Sequence, residues 1–188
     1  NLSAITIPDS ITSIGEHAFD YCKKLTDIRY TGTVEQWYSS GINLYGFDVT
    51  CVDGTAVFCI EKNIVDGTSF YSCKGLTPYG KTLTEIAIPN GVTTIAVSAF
   101  SNCSKLTSVT IPDSVTLIDS DAFWDCTELK TVIIPKNVTE IGVDVLGYCK
   151  KLTDIYIDQP KSSLFKYADV PSGCTIHWNS TGPESGSV

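Results

Sequence analysis

The sequence predicts a repeat solenoid, an array of stacked coils made mostly of short parallel β-strands joined by single helical or 3₁₀ turns. Three residue types recur in steps of 23 and carry this prediction: leucine, proline and cysteine. They stand at Leu2 and Leu25, then Leu83, Leu106, Leu129 and Leu152, at Pro89, Pro112 and Pro135, and at Cys103, Cys126 and Cys149. A fixed period of this length is the sequence signature of a repeat architecture.

One repeat unit contains two extended segments and a compact turn. Leu-x-x-Val-x-Ile predicts a strand with inward apolar residues, which proline ends because it has no N–H for a ladder. Val-Thr-x-Ile predicts a second strand, and Ala-Phe-x-x-Cys a single helical or 3₁₀ turn. Gly15 and Gly142 stand between the second strand and the turn, and glycine there predicts a left-handed backbone. Ala96 and Asp119 take the same place in other copies. Stacking of about eight such coils is expected to bury the apolar columns.

The unit at residues 2–22 resembles the BspA-type leucine-rich repeat, through Leu2-x-x-Ile-x-Ile-Pro, Ile11-x-x-Ile-Gly and Ala18-Phe-x-x-Cys22. That family occurs in bacterial surface proteins and in some mucosal parasites. The resemblance implies a right-handed superhelix of the α/β leucine-rich-repeat class and an extracellular or cell-surface location. The chain begins within a repeat and shows no signal-peptide pattern, so any targeting segment is expected to lie outside this sequence.

A single solenoid is predicted over residues 1–180, with a flexible tail at 181–188. Regular repeats cover 2–28 and 83–155, and both blocks end in the same heptad, Cys-Lys-Lys-Leu-Thr-Asp-Ile. The irregular coils, 29–82 and 156–180, are expected to carry helix-like inserts, and the second is expected to cap the array. Within the first, Phe70-x-x-Cys73-x-x-Leu76 predicts the end of a degenerate repeat. Two Asp-Gly pairs predict tight turns and suggest a hairpin around Ala56–Val65.

Composition excludes several classes of partner. The formal net charge is −8 and the 13 basic residues are scattered, which argues against nucleic acid and against anionic membrane surfaces. No apolar run approaches the roughly 20 residues that cross a bilayer, so no membrane insertion is expected.

The cysteines are interpreted as packing residues. Five of the eight occupy one position of the unit, which predicts a buried column of free thiols: Cys22, Cys73, Cys103, Cys126 and Cys149. A Cys51–Cys59 disulfide across a hairpin is the alternative. Zinc is disfavoured because no Cys-x₂-Cys pair occurs and the two histidines are far apart, so no metal or cofactor is expected.

No catalytic constellation stands out, and the protein is predicted not to be an enzyme. His17 falls at a variable surface position and His177 in a terminal strand pattern. Asp119 and Asp121 resemble a cation-binding pair, but turn positions explain them more simply. The chain has no nucleophile elbow, phosphate-binding loop or zinc-protease motif.

The outward positions of the first strand are the favoured binding surface. Stacking places Thr6, Arg29, Ala87, Thr110, Ile133 and Tyr156 in one column, beside Ala4, Asp27, Glu85, Ser108, Thr131 and Asp154. Apolar and aromatic residues close together on a surface can mark a contact patch. The candidate partner-binding residues are Arg29, Lys130, Ile133, Asp154 and Tyr156, together with Trp37 and Trp124 as exposed aromatics.

These features predict a non-catalytic cell-surface or secreted module that binds a protein of a host or neighbouring cell. Two alternatives stay open at this point. One is a structural spacer within a larger surface protein. The other is a carbohydrate-binding module that uses Trp37, Tyr38, Trp124 and Trp178.

Overall fold

A computed structural model describes residues 2–15, 17–42, 44, 47–66, 68–77, 79–160, 164 and 170–183. They form a β-solenoid of about seven turns, which confirms the predicted solenoid. In chain order the elements are β1 (Ala4–Ile7), β2 (Asp27–Tyr30), α1 (Val34–Ser40), β3 (Val49–Cys51), β4 (Gly54–Thr55), β5 (Phe58–Val65), β6 (Thr68–Leu76), a 3₁₀ turn (Gly80–Thr82), β7 (Glu85–Ala87), β8 (Val92–Ile95), β9 (Ser108–Thr110), β10 (Leu117–Ile118), β11 (Thr131–Ile134), β12 (Glu140–Ile141), β13 (Asp154–Ile157) and β14 (Thr175–Trp178).

The Leu-x-x-Ile-x-Ile segments form the first side of the solenoid, in three sheets. Their strand orders are β1-β2-β3-β4, β7-β9 and β11-β13-β14, and all pairs are parallel except β3 with β4. The strands pair in the predicted register, with Val132 opposite Ile155. Both side chains are fully buried. Alternation of inward and outward residues therefore follows the sequence pattern.

The second side is one sheet of order β12-β10-β8-β6-β5. Ile95, Ile118 and Ile141 pair in parallel register down its centre. The matching segment of the first copy, Ile11 to Ile14, forms no strand, and Ile11 is 38% exposed. The same motif thus forms a strand only where another strand pairs with it.

The turn segments differ from the prediction of a left-handed residue at Gly15 and Gly142. Neither glycine has a positive φ; the left-handed residues lie two and six positions later, at His17, Ser98, Asp121 and Asp144 and at Tyr21, Asn102, Asp125 and Tyr148. In these segments backbone amides donate to the carbonyl three residues back, as in a 3₁₀ turn. Left-handed residues interrupt the turns, so none of them extends into a helix. Glycine is needed at position 142 because the backbone of the preceding coil approaches closely there, and an added Cβ would meet the Ser120 backbone nitrogen.

The first irregular coil contains the predicted helical insert, α1. Thr33 caps its N-terminus in a capping box with Gln36, and Gly41 ends it in the left-handed conformation. Trp37 is the helix residue that points into the core, and it is 3% exposed. The burial of Trp37 holds α1 against the core of the irregular coil.

The hairpins of residues 49–76 lie elsewhere than predicted. The tight turns predicted at the Asp-Gly pairs are confirmed, since β3 pairs with β4 across Asp53 and β5 pairs with β6 across Asp66, but no hairpin is centred on Ala56–Val65. The segment Phe70–Leu76, predicted to end a degenerate repeat, is part of strand β6 rather than a turn. Cys73 pairs with Ile95 in the second sheet and so leaves the cysteine column. The three-residue spacing of its apolar residues resembled a turn only by coincidence.

The core consists of two apolar clusters. The larger runs from Phe58 to Ile157 and contains Phe100 stacked on Phe123, with ring centroids 5.1 Å apart. The smaller lies in the first third of the chain, from Ile7 to Ala56, and the Tyr38 ring packs against both. The C-terminal coil closes the larger cluster with partly buried side chains, including Ile176 and Trp178. The helix-like insert predicted there and most of the predicted tail fall outside the described residues.

All eight cysteines are free thiols, so the Cys51–Cys59 disulfide is not formed. Cys126 and Cys149 are buried in the predicted column, and each Sγ donates to a carbonyl of the preceding coil at 3.2 Å. Burial raises the pKa of the Cys149 thiol to about 11 and that of Cys73 to about 12. The thiolate is the reactive form, so these thiols are packing residues.

Candidate functional site

The outward face of the first side has the predicted columns. Thr6, Arg29 and Thr50 stand in register near the N-terminus. At the other end Ile133, Tyr156 and His177 form one column, and Thr131, Asp154 and Thr175 form the next. The structure thereby brings three predicted site residues together, Ile133, Asp154 and Tyr156, and adds His177.

These four residues, which we call the terminal patch, lie on paired strands, and three of them are held by direct contacts. The Tyr156 and His177 rings are stacked, with centroids 4.4 Å apart and planes 10° from parallel. His177 Nε2 lies 2.8 Å from Asp154 Oδ1, and the Thr153 hydroxyl donates to Asp154 Oδ2 at 2.7 Å. The hydrogen bonds from His177 and Thr153 lower the pKa of the Asp154 carboxyl. Asp154 therefore fixes the imidazole on which the Tyr156 ring lies.

Ile133 extends the terminal patch with an apolar side chain. It is 37% exposed, although its strand neighbours Val132 and Ile134 are buried. The chain that follows β14 returns beside it, and a Cβ on Gly182 would lie 2.9 Å from Ile133 Cδ1. The Ser180 amide donates to the Ile157 carbonyl and holds this return segment in place. One edge of the patch is thus formed by the last described residues.

Lys130 and Arg29 lie at different distances from the patch. Lys130 is exposed and directly precedes β11, and its carbonyl accepts a hydrogen bond from the Thr153 amide. Arg29 lies on β2, in a different sheet, and is ion-paired with Asp27 at 3.0 Å. Arg29 therefore does not join the other candidates, and Lys130 lies at their margin.

Trp37 is not a surface residue, which corrects the expectation of an exposed aromatic. The apolar face of α1 carries it into the smaller core cluster, edge-to-face with Tyr30 at 5.2 Å between centroids. Tyr38 beside it has a structural role as well, because its hydroxyl oxygen accepts hydrogen bonds from the Val57 and Phe58 amides. The carbohydrate site that combined Trp37 and Tyr38 with the other tryptophans therefore does not exist as one surface.

Trp124 lies away from the terminal patch, on the edge formed by the turn segments. We call this surface the turn edge and define it as residues 97–102, 120–125 and 143–148. Trp124 is half-buried there and packs edge-to-face against Tyr148, with centroids 5.3 Å apart. Tyr148 itself is 65% exposed.

The sequence pattern assigns neither His177 nor Tyr148 to a binding site, for different reasons. The columns were traced in steps of 23, but β14 follows β13 after 21 residues, so the step from Tyr156 passed over His177. Pairing Thr175-Ile-His-Trp178 directly with Asp154-Ile-Tyr-Ile157 would have found it. Tyr148 occupies a turn position, and no periodicity marked that position as exposed.

The described residues contain no group of three or more His, Cys, Asp or Glu side chains that could hold a metal ion. Asp119 accepts a hydrogen bond from the Ser120 amide at 2.7 Å, as a turn residue does. His17 is exposed and pairs with Asp20 at 3.0 Å. Within the described part of the chain, no helix is long and apolar enough to cross a membrane.

The fold and its period define a leucine-rich-repeat solenoid. The family profile of the BspA type leucine-rich repeat region matches six copies over residues 1–77 and 79–170, so the chain belongs to that family. A search of curated proteins gives no match.

Solved structures of bacterial repeat proteins are similar to this chain. A leucine-rich repeat protein of Eubacterium ventriosum is 26% identical over 82% of this chain and 36% of its own, with a TM-score of 0.45. The pneumococcal vaccine antigen PcpA is 22% identical over 97% and 58%, with a TM-score of 0.47. A leucine-rich cell surface protein of Faecalibacterium prausnitzii is 18% identical over 98% and 61%, with a TM-score of 0.40. The chain thus spans about a third to three fifths of these proteins' lengths.

Proposed function

We propose that this protein is a non-catalytic binding module of a cell-surface or secreted protein, and that it binds a protein partner through the terminal patch. The observation that carries the proposal is the Tyr156–His177 stack, which Asp154 holds on the outward strand face. Leucine-rich-repeat proteins commonly bind other proteins, and that family property supports the same class of function.

The patch is preorganised for binding. Its side chains stand on paired strands, and the His177 ring is held by both the stack and the carboxylate. Few rotamers are lost when such a surface is covered, so more of the contact energy appears as affinity. Tyrosine is also among the residues that most often dominate protein interfaces.

The terminal patch has the chemical composition of an interface. Ile133 and Tyr156 supply apolar area at the centre, and Lys130 and Asp154 supply polar groups of both signs at its margin. An apolar centre with a polar rim is the usual anatomy of a protein contact surface. Among the described residues, the outward strand face near Arg29 has no comparable aromatic stack, and the charges of Arg29 and Asp27 already neutralise each other.

The location outside the cell is part of the proposal and has one support. Members of the repeat family that the sequence resembles occur on bacterial surfaces. Burial raises the pKa of Cys51, Cys59 and Cys149 to about 11. Buried thiols with a raised pKa resist oxidation and disulfide exchange, so free cysteines are compatible with an oxidising exterior.

The test is binding of immobilised matrix, plasma and bacterial surface proteins, measured by surface plasmon resonance. We expect at least one partner, with affinity reduced about tenfold or more in Tyr156→Ala, because a buried interface aromatic commonly contributes that much. Arg29→Ala is the matched control, since it changes the same outward column at the other end. Equal loss in both variants would contradict the terminal patch as the site. No binding by folded protein across the panel would favour the spacer function.

A further inference from the structure

The turn edge carries a second aromatic surface that the proposed function does not use. From its geometry we propose that Trp124, Tyr148 and Asp125 form a binding site for a neutral, β-linked hexose saccharide. This site lies on the turn segments and the terminal patch on the outward strand face, so the two can be tested separately. The proposal rests on packing, backbone conformation, hydrogen-bonding groups and charge.

The packing of Trp124 depends on the residue one coil further on. The same position of the unit is Ser101, Trp124 and Gly147 in successive copies. A Cβ on Gly147 would lie 3.0 Å from Trp124 Cδ1, so the indole edge rests directly against the glycine backbone. Tyr148 then meets the indole at 62° between the ring planes. The large ring and the absent side chain together create a fixed aromatic surface on the turn edge.

The backbone of Tyr148 is unfavourable for tyrosine. Its φ is +59°, and the matching positions in the two preceding copies are Asn102 and Asp125, at φ +61° and +55°. Asparagine and aspartate tolerate the left-handed region better than a bulky side chain does. The Tyr148 side chain is nevertheless largely outside the core. Tyr21 has the same conformation, with φ +61°, and is 91% exposed in a copy where residue 20 is aspartate, so the feature that distinguishes Tyr148 is its contact with the Trp124 ring.

The polar groups of this surface are available to a ligand. Among the described residues, the Trp124 indole N–H, the Tyr148 hydroxyl and the Asp125 carboxylate make no hydrogen bond or ion pair. They offer two donors and a charged acceptor beside two ring faces. Sugar hydroxyls both donate and accept, and the axial C–H bonds of a β-linked hexose present an apolar face to an aromatic ring.

The negative charge of the turn edge favours neutral saccharides over anionic ones. Its three segments contain no lysine, arginine or histidine, and they contain three aspartates, Asp121, Asp125 and Asp144. Uronic and sialic acids would therefore be repelled. A cationic side chain or a quaternary ammonium would pair with Asp125 and the rings, but it would leave the indole N–H without an acceptor. A neutral saccharide meets all of these groups.

The test uses cellohexaose, laminarihexaose and chitotriose, with saturation-transfer NMR and tryptophan fluorescence on the folded chain. We expect saturation transfer to sugar ring protons from at least one of them. Trp124→Ser and Tyr148→Asn place residues that the chain itself carries at 101 and 102, so both variants are expected to fold. Each should lower the affinity about tenfold or more. Tyr21→Asn is the matched control, because it makes the same change at a copy where residue 20 is aspartate.

Each outcome of the experiment bears on the proposal. Binding that is lost in both turn-edge variants and kept in Tyr21→Asn and Tyr156→Ala supports it, whatever becomes of the terminal patch. Binding kept in both turn-edge variants overturns it, and so does the absence of signal from all three probes. Choline and Nα-acetyl-lysine amide, whose side-chain ammonium is free, serve as cationic probes. If they bind at this site while the saccharides do not, the site recognises cations and the saccharide proposal is wrong.

Discussion

The two ends of the solenoid carry the same 23-residue motif but bury it to different degrees. In the regular block the motif leucines Leu106 and Leu129 are 1% and 0% exposed, whereas Leu2 of the first copy is 44% exposed. The second extended segment forms strands β8, β10 and β12 in the regular block and no strand at Ile11 to Ile14. The motif supplies apolar residues at fixed positions, and the neighbouring coils complete their burial.

This difference in burial indicates which coils contribute most to the free energy of unfolding. In a repeat array each unit contributes mainly through its interfaces with adjacent units. The larger cluster joins successive coils from Phe58 to Ile157, while the smaller one depends on Trp37 and the irregular coil. We therefore expect matched substitutions in the two regions to have unequal effects.

The largest effect is expected from Phe123→Ala. The Phe123 ring is fully buried and stacked on Phe100, so its removal should lower the free energy of unfolding by about 3–5 kcal/mol. Phe19 occupies the same motif position in the first copy but is only partly buried, and Phe19→Ala should cost less than half as much. Urea denaturation followed by circular dichroism measures both. Equal losses would contradict the unequal burial of the two copies.

An intermediate effect is expected from a pair of glycines at one motif position. A Cβ at Gly15 would have no heavy atom of the described residues within 4 Å, chain neighbours aside, whereas a Cβ at Gly142 would meet the Ser120 backbone. Gly142→Ala should therefore destabilise the protein by about 1–3 kcal/mol through overpacking. Gly15→Ala should be neutral or stabilising by up to about 1 kcal/mol, because it restricts the unfolded chain. Thermal unfolding of the two variants gives the comparison, and a stable Gly142→Ala protein would refute the close coil contact.

The smallest effect is expected from the half-buried Asp154 carboxylate. Because its pKa is lowered in the folded state, its contribution to stability is present above the ordinary aspartate pKa of about 4 and is lost as the pH falls through the lowered value. The stability difference between the wild type and Asp154→Asn should therefore be largest near neutral pH and should close in acid. Denaturation series at pH 7 and about pH 3 test this. A difference that does not depend on pH would exclude an ionised, hydrogen-bonded Asp154.

The sequence predicted those features that the repeat period governs. Strand positions, the inward columns and the parallel register of β11 with β13 follow directly from the spacing of apolar residues. The β5–β6 hairpin did not, because Cys73 and Leu76 fit the motif spacing although they belong to a strand. The left-handed residues were misplaced because glycine was taken as their marker, whereas Ser98 and Asp121 adopt that conformation in this fold.

The candidate sites were only partly predictable for a similar reason. Ile133, Asp154 and Tyr156 lie in repeat columns, so their common face could be deduced. His177 comes from a coil of different length, and Trp37 was assigned to the surface because no repeat copy shows which way that helix faces. The positions of both side chains depend on long-range packing, which the spacing of residues along the chain does not reveal.

The hydrogen bonds between coils have a consequence for how such a gene can change in length. The Thr107 hydroxyl donates to the Thr84 carbonyl and the Thr139 hydroxyl to that of Thr116, each 23 residues back. Gain or loss of a whole coil leaves every such donor opposite an equivalent acceptor, whereas a shift of one residue misaligns all of them. Arrays of this kind can therefore vary their reach in steps of one coil while each remaining coil keeps its bonds.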